Sequence, residues 1–374
     1  MTLKNISDFR HLSPSSHPAR AMKSNCIAAL FVICSALVSA ASFVACQNET
    51  TSLRQAFSSF KKKYGRHYRS RAQDEAFRFA IFKAHFKSLN AHNTEEGRTY
   101  DTGINQFSDM TEDEIVSEFC CPGGPQVLQA PNSEEVYYDL QDDDGNGPLD
   151  VTPYVNWTAA GAVSPVRNQG HSKYGWAFAA VGAVEGIHHI KTGNLVPLST
   201  QSLVDCVAKD GDGCPPAEHN SGPLAWISLH GLSAEADYPY QGGKKSKCKS
   251  DVVNQPLAVR ISGVKNVWPR RSEGALQLAV SRQPVPVAID VTRIAKEYGR
   301  GIYNGWCDDT APNHFMLAVG YGSDDAGRKY WLLKSSWGPE WGEDGYLRLE
   351  RGVGSETGKC GIATNSDFPV MDDI

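Results

Sequence analysis

The sequence has 374 residues, a net charge of -5 and 21% charged residues. This length suffices for one to three globular units, and the lack of a basic excess argues against a nucleic-acid partner. Ten cysteines are few for a disulfide scaffold, but they fit a globular protein that folds in an oxidising compartment.

The N-terminal region carries an apolar run from Cys26 to Cys46, with small-residue cleavage options near Ala40. This arrangement predicts that residues 1–46 are a leader with a signal peptide. The run is also long enough to span a bilayer, so an uncleaved signal anchor remains an alternative. We expect contact with a membrane only in that case. The sequons at Asn48 and Asn156 are predicted glycosylation sites and agree with secretion.

The stretch from Ala162 to Gly186 joins a loop to a helix. Its first half contains proline and glycine, whereas apolar residues recur at helical spacing from Gly175 onward. Backbone N–H groups at such a junction lack intrahelical partners and favour negative charge. The junction near Gly175 is therefore suited to an oxyanion or a thiolate.

This stretch resembles the active-site segment of papain-like cysteine peptidases, whose signature at the junction is Cys-Gly-Ser/Ala-Cys-Trp. The same five positions read Ser172-Lys173-Tyr174-Gly175-Trp176, so both cysteines are missing. The second cysteine is the family's nucleophile, and glycine has no side chain that could attack a carbonyl. In this respect the chain resembles the plant vacuolar thiol-protease-like proteins that also carry glycine at that position.

The resemblance also implies the other parts of the site. His314 stands in the motif of the family's base, and Gln169 stands at the position of its oxyanion donor. Trp337 matches a residue that shields the site and borders the substrate groove. The asparagine that orients the base is replaced by Ser335, whose side chain is shorter. The resemblance therefore implies a base and an oxyanion donor without a nucleophile or a proper orienter.

The predicted substrate groove departs from the family pattern in two places. The family continues with Gly-Gly after the cysteine that matches Cys214, whereas this chain inserts five residues before Asn220, Ser221 and Gly222. Phe315 follows the base at a position that is usually small and lines the main specificity pocket. We therefore expect a narrowed pocket.

The resemblance further implies two disulfides, Cys206 with Cys248 and Cys307 with Cys360. Cys214 matches a cysteine whose usual partner position is now Ser172. We therefore expect Cys214 to be an unpaired thiol beside the cleft, packed as a small hydrophobic group.

Residues 47–120 place apolar residues among charged ones at helical spacing. They resemble the inhibitory prosegment of the same family, in which Glu, Arg, Phe, Asn, Ile and Asn recur at fixed spacing. The corresponding residues here are Asp74, Arg78, Phe82, His85, Leu89 and Asn93. A second prosegment motif is matched fully by Gly103-Ile-Asn105-Gln-Phe107-Ser-Asp109.

Residues 121–150 are acidic and have no apolar periodicity, so we interpret them as a linker. The residues Asp142-Asp-Asp144-Gly-Asn146-Gly147 resemble the opening of a calcium-binding loop. The twelfth position of such a loop would be Pro153, where a bidentate glutamate is needed. We therefore predict no metal site, and nothing in the sequence requires a cofactor.

Residues 151–374 resemble the mature peptidase, which implies an α+β fold of two halves with a cleft between them. The predicted helical half covers about 151–260. In the predicted β half, about 261–374, short apolar runs between glycine-rich turns favour an antiparallel sheet or barrel.

The functional hypothesis is a papain-like homologue that is catalytically inactive and serves in peptide binding, storage or regulation. We expect a monomer with a peptide or protein ligand in the cleft, in a lysosome or vacuole or outside the cell. The alternative is an active hydrolase with a substitute nucleophile, for which the candidates are Ser172, Tyr174 and Cys214. Whether the protein is an enzyme stays open between these two hypotheses.

Overall fold

The computed structural model describes residues 51–68, 72–121, 135–137, 151–208, 211, 213–215, 222–248, 257–364 and 366–372. The predicted signal peptide, Asn48, Ser221 and the candidate calcium loop lie outside these residues. The chain divides into two compact units, Met1–His67 and Tyr68–Ile374. Among the described helices, none combines the length and the apolar character needed to cross a membrane.

The described part of the first unit consists of helix α1, residues 51–63, and the turn that follows it. Its rings recur at helical spacing, and those of Phe57 and Phe60 stack with centroids 6.0 Å apart. The predicted helical periodicity of this part of the prosegment is confirmed.

The second unit contains seven described α-helices and one short 3₁₀ helix. Their bounds are α2 Ala72–Asn93, α3 Glu112–Phe119, α4 Gly175–Thr192, α5 Thr200–Cys206, α6 Pro223–His230, α7 Glu273–Arg282, α8 Ile294–Glu297 and the 3₁₀ helix Lys359–Gly361. Helix α4 is apolar on most sides, and 12 of its 18 residues are buried. A helix of this composition is stable only inside a core, and α4 accordingly lies at the centre of an apolar cluster.

Ten described strands form two sheets. Their bounds are β1 Tyr100–Thr102, β2 Glu135–Tyr137, β3 Val155–Asn156, β4 Gly263–Trp268, β5 Val285–Ile289, β6 Tyr298–Tyr303, β7 His314–Ser323, β8 Lys329–Lys334, β9 Tyr346–Glu350 and β10 Asp367–Val370. The larger sheet has the order β1-β6-β9-β8-β7-β3, and β5 also pairs with β7. The smaller sheet has the order β10-β4-β2.

The expected α+β class is confirmed, but the antiparallel barrel is wrong. Strands β6 and β9 run parallel, so the larger sheet is mixed. Strands β1 and β3, at its two ends, do not pair with each other, so the described strands form an open sheet. Part of the predicted linker also has regular structure, because β2 pairs in parallel with β4.

The prosegment residues of the second unit are fixed by directional bonds. The guanidinium of Arg78 donates to both carboxylate oxygens of Glu114, at 2.6 and 2.7 Å. Glu114 also completes a capping box with Thr111 at the start of α3. The side chain of Asn105 donates to the Ala295 carbonyl at 2.9 Å. These bonds fix the start of α3 to α2 and fix the second prosegment motif to the backbone of α8.

Candidate active site

Gly175 is the first residue of α4, and it is buried. A Cβ atom built on Gly175 would lie 2.4 Å from His314 Cε1 and 2.9 Å from His314 Nε2. Carbon atoms in favourable contact are about 3.5–4.0 Å apart. The imidazole therefore occupies the space that a side chain at position 175 would need.

His314 begins strand β7 and is 3% exposed. Its ring stacks on Trp337, with centroids 4.6 Å apart and the planes 26° from parallel. Its Nδ1 lies 3.2 Å from the carbonyl oxygen of Phe119. A carbonyl can only accept, so the proton of this bond is on Nδ1.

The other ring nitrogen, His314 Nε2, is buried and has no hydrogen-bond partner among the described residues. Burial lowers the pKa of His314 to about 4, although the bond to Phe119 acts in the opposite direction. The imidazole is therefore neutral at pH 7, with a bare nitrogen directed at the place where a nucleophile would stand.

Ser335, at the predicted orienter position, does not orient the histidine through a hydrogen bond. Its hydroxyl accepts from the Trp337 backbone N–H at 3.3 Å, and its own N–H donates to the Gly345 carbonyl at 2.9 Å. The Phe119 carbonyl takes the orienting place at His314 Nδ1. No motif in the sequence indicates this role of Phe119, which directly precedes the adjacent cysteines Cys120 and Cys121.

Gln169, at the predicted oxyanion-donor position, is fully buried. Its side-chain Nε2 donates to the carbonyl oxygen of Ser172, and its Oε1 accepts from the Ser336 hydroxyl at 2.5 Å. The amide is thus engaged at both ends, by its own loop and by the segment that carries Ser336. To stabilise an oxyanion, the Gln169 amide would have to give up its hydrogen bond to the Ser172 carbonyl.

Trp337 is 2% exposed and is covered by aromatic rings. Phe107, from the second prosegment motif, meets it edge-on at 5.2 Å, and Trp341 meets it at 4.7 Å. Gln106, the neighbour of Phe107, donates to the Trp337 carbonyl at 2.9 Å. The prosegment therefore shields the stacked pair of His314 and Trp337 from solvent.

The described groove residues are buried. Phe315 is 7% exposed and packs in the apolar cluster around α4. With Gly175 and Phe178 it lines a cavity of about 10 Å³, which is at the lower limit for one water molecule. Gly222 is the N-cap of α6. The narrowed specificity pocket stays a prediction.

The disulfide framework agrees with two of the expected pairings and corrects the third. Cys206 is bonded to Cys248, and Cys307 is bonded to Cys360. Cys214 is not an unpaired thiol, because it is bonded to Cys121. The prediction was wrong because it considered only the vacant partner position at Ser172.

Cys121 can replace that partner because it reaches the same loop from the prosegment side. Its Sγ lies 3.8 Å from the carbonyl oxygen of Lys173, the residue after Ser172. The free cysteine of the described residues is the adjacent Cys120, which is buried. Burial raises the pKa of its thiol to about 12, so Cys120 is not a reactive thiolate.

The three candidate substitute nucleophiles are all occupied. The hydroxyl of Ser172 donates to the Gln169 carbonyl at 2.8 Å. Tyr174 is 6% exposed, and burial raises the pKa of its phenol. Cys214 is in a disulfide. His314 Nε2 accepts a proton from none of them, because it has no hydrogen-bond partner among the described residues.

The sequon residue Asn156 lies in β3 and is half-buried. Its amide nitrogen donates to the Tyr154 hydroxyl at 3.2 Å, and its oxygen accepts from the Ala159 N–H at 3.0 Å. Glycosylation of Asn156 stays a prediction.

The chain is similar to known proteins over most of its length. Residues 151–370 match the papain family cysteine protease model, and residues 57–115 match the cathepsin propeptide inhibitor domain. The chain is 34% identical to ananain of Ananas comosus over 342 residues, 91% of this chain and 95% of ananain. It is 37% identical to papaya proteinase 4 of Carica papaya, over 86% of this chain and 88% of that protein.

Solved structures of precursors are similar as well. A recombinant stem bromelain precursor has a TM-score of 0.74 and 34% identity, and the match covers 86% of this chain and 99% of that one. The proform of the ragweed pollen allergen Amb a 11, a cysteine protease, has a TM-score of 0.71 and 33% identity, with coverage of 86% and 95%.

Proposed function

We propose that this chain, which belongs to the papain family of cysteine proteases and carries that family's inhibitory prosegment, binds peptides without cleaving them. The observation that carries this proposal is the contact between Gly175 and His314. The position of the nucleophile has no side chain, and the imidazole lies where that side chain would be. Covalent catalysis by a thiolate at this position is therefore impossible.

The remaining groups cannot compensate for this loss at a useful rate. In a serine-protease triad, removal of the nucleophile lowers turnover roughly a millionfold, and the residual rate comes from binding and the oxyanion hole. Here the oxyanion donor Gln169 is bonded to the Ser172 carbonyl. The base His314 has no hydroxyl or thiol as a hydrogen-bond donor among the described residues.

An active hydrolase with a substitute nucleophile is the competing function. It would require Ser172 or Tyr174 to leave its present hydrogen bonds or burial and to reach His314 Nε2. Cys214 would first have to be reduced. A nucleophile displaced by even about 1 Å loses much of its effectiveness, so these arrangements favour the non-catalytic proposal.

The proposed ligand is an extended peptide or protein segment in the cleft, and the proposed setting is the secretory pathway, ending in a lysosome or vacuole or outside the cell. Two features support the setting. Three disulfides are formed within the described residues, and such bonds persist in oxidising compartments. The predicted signal peptide would supply the route.

The catalytic part of the proposal is tested by labelling with an epoxide inhibitor that alkylates active-site thiols, combined with hydrolysis of fluorogenic peptidyl amides. We expect no labelling at position 175 and no hydrolysis above that of a His314→Ala control. Labelling or hydrolysis that disappears in His314→Ala would show that the protein is an enzyme.

The binding part is tested on protein whose prosegment has been cut and released. The probe is a library of extended decapeptides immobilised on beads, and the expected result is saturable binding that a free peptide of the same sequence displaces. A lack of saturable binding to every library member would instead support a storage protein with an unused cleft.

A further inference from the structure

The last three residues of the prosegment and the first residue of the linker, Glu118–Cys121, cross the candidate site, and we call them the strap. The Phe119 carbonyl accepts from His314 Nδ1 at 3.2 Å. The Cys121 N–H donates to the carbonyl of Asn313 at 2.9 Å. The Glu118 carboxylate lies 3.0 Å from His171 Nδ1. The strap thus lies directly over the histidine and beside the loop that precedes α4.

The strap is bonded covalently to the domain that it covers. Cys121 forms a disulfide with Cys214, 93 residues further along the chain. Cys121 lies before residues 122–150 and Cys214 lies after them. Any cut of the chain between 122 and 150 therefore leaves the two cysteines on different fragments, and this disulfide is the covalent bond that joins them.

We propose that the Cys121–Cys214 disulfide keeps the prosegment attached after the linker is cut, and that its reduction is the step that opens the cleft. The reductant is a dithiol. Its thiolate attacks one sulfur of the Cys121–Cys214 bond, the other sulfur leaves as a thiolate, and the second thiol of the reductant resolves the mixed disulfide. Two electrons pass to the protein, two protons give the free Cys121 and Cys214 thiols, and the dithiol becomes a disulfide.

The bond matters because it changes how the strap competes with a ligand. A cut prosegment held only by non-covalent contacts dissociates on dilution, and an external peptide can then replace it. A tethered segment remains at an effective concentration in the millimolar range or above, independent of dilution. Cutting without reduction therefore leaves the cleft occupied.

This inference does not depend on the proposed peptide binding, since it concerns only the attachment of the strap. The experiment inserts a site-specific protease sequence after Gln141, in the full-length chain, and cuts the purified protein. The cut protein is run on denaturing gels without and with a dithiol, and the cross-linked peptide is identified by mass spectrometry. The variants are Cys121→Ser, Cys214→Ser and, as the matched control, Cys120→Ala at the neighbouring buried cysteine.

The expected result is one band without the dithiol and two bands with it, for the parent protein and for Cys120→Ala. Cys121→Ser and Cys214→Ser should each give two bands without any reductant. Hydrogen exchange of the backbone amides near Trp337, measured at nanomolar protein, should increase in cut Cys121→Ser but not in the cut parent protein.

Two outcomes would overturn the proposal. Separation of the cut parent protein without reductant, with no peptide linking Cys121 to Cys214 in the mass spectrum, would show that the tether does not exist. Separation of Cys120→Ala together with retention in Cys121→Ser would show that the neighbouring cysteine forms the bond. The mass spectrum of the parent protein decides the question even if a variant fails to fold.

Discussion

Replacing Gly175 with alanine tests directly whether the imidazole occupies the nucleophile position. The added Cβ would lie 2.4 Å from His314 Cε1, so the ring must move by about 1 Å to reach an ordinary contact distance. This movement weakens the stack on Trp337 and the hydrogen bond to the Phe119 carbonyl.

The magnitude follows from these two contacts. An aromatic pair contributes about 0.5–1.5 kcal/mol beyond burial, and a hydrogen bond contributes about 0.5–1.5 kcal/mol net. Alanine gains at most about 1 kcal/mol over glycine in a helix, and less at a first helical position. We therefore expect Gly175→Ala to lower the free energy of unfolding by about 1–2 kcal/mol.

The origin of this loss is identified by a double-mutant cycle with His314→Ala. Without the ring, Gly175→Ala should be neutral or slightly stabilising, which gives a coupling energy of about 2 kcal/mol. Gly182→Ala is the matched control within α4, since its added Cβ would meet the flexible end of Leu317 at 2.8 Å and not the histidine. Its effect should be the same in both backgrounds.

The assay is urea unfolding of the intact precursor, followed by tryptophan fluorescence with the disulfides oxidised. Additive effects of Gly175→Ala and His314→Ala would refute the reasoning, because they would mean that the ring does not occupy the space next to Gly175. A coupling as large for Gly182→Ala would show that His314→Ala disturbs α4 as a whole.

Two further predictions concern the candidate active site, and one concerns the buried His85 of α2. The precursor should not remove its prosegment when incubated alone at acid pH, because no nucleophile stands at Gly175; spontaneous appearance of a shorter form by mass spectrometry, with contaminating proteases inhibited, would contradict this. Gly175→Cys combined with Ser335→Asn should give a thiol at position 175 that pairs with His314 once the strap is released. Iodoacetamide should then alkylate this thiol at lower pH than it alkylates a free cysteine. If the thiol titrates like a free cysteine, His314 does not lie beside position 175. Burial, assisted by the charge of Lys296, lowers the pKa of His85 to about 4, below about 6.5 in the unfolded chain. Between pH 6.5 and pH 4 the unfolded state therefore binds more protons than the folded state. The contribution of neutral His85 to the free energy of unfolding is fully present above pH 6.5 and falls by about 2–3 kcal/mol as the pH drops to 4. His85→Asn should remove this share of the pH dependence, as measured by urea unfolding at pH 7 and 4.5, whereas an unchanged dependence would show that His85 is not buried in its neutral form.

The motifs of the sequence predicted the components of the site but not their arrangement. The loss of the nucleophile at Gly175 and the presence of His314 and Gln169 could be read from local motifs, because the residue type alone decides what chemistry is possible. The position of the imidazole against Gly175 and its bond to Phe119 depend on packing between distant segments. No local pattern encodes such contacts.

The errors have a similar cause. The pairing of Cys121 with Cys214 joins residues 93 positions apart, and the sequence did not show which of two adjacent cysteines would be used. The parallel pairing of β6 with β9 is also non-local, so short apolar runs could suggest a barrel but could not fix the strand order. Strand β2 has only three residues, too few for a recognisable alternation.

The pairing of β1 with β6 has a consequence for solubility. Strand β1 covers one edge of the larger sheet, and its close approach is possible because position 301 is glycine, where a Cβ would meet the Thr99 carbonyl oxygen at 2.6 Å. If the prosegment leaves, β6 becomes an edge strand with unpaired N–H and C=O groups, which can pair with the same edge of a second molecule. A chain that loses its prosegment would thus gain a surface for self-association, and a chain that keeps its prosegment would have this edge covered.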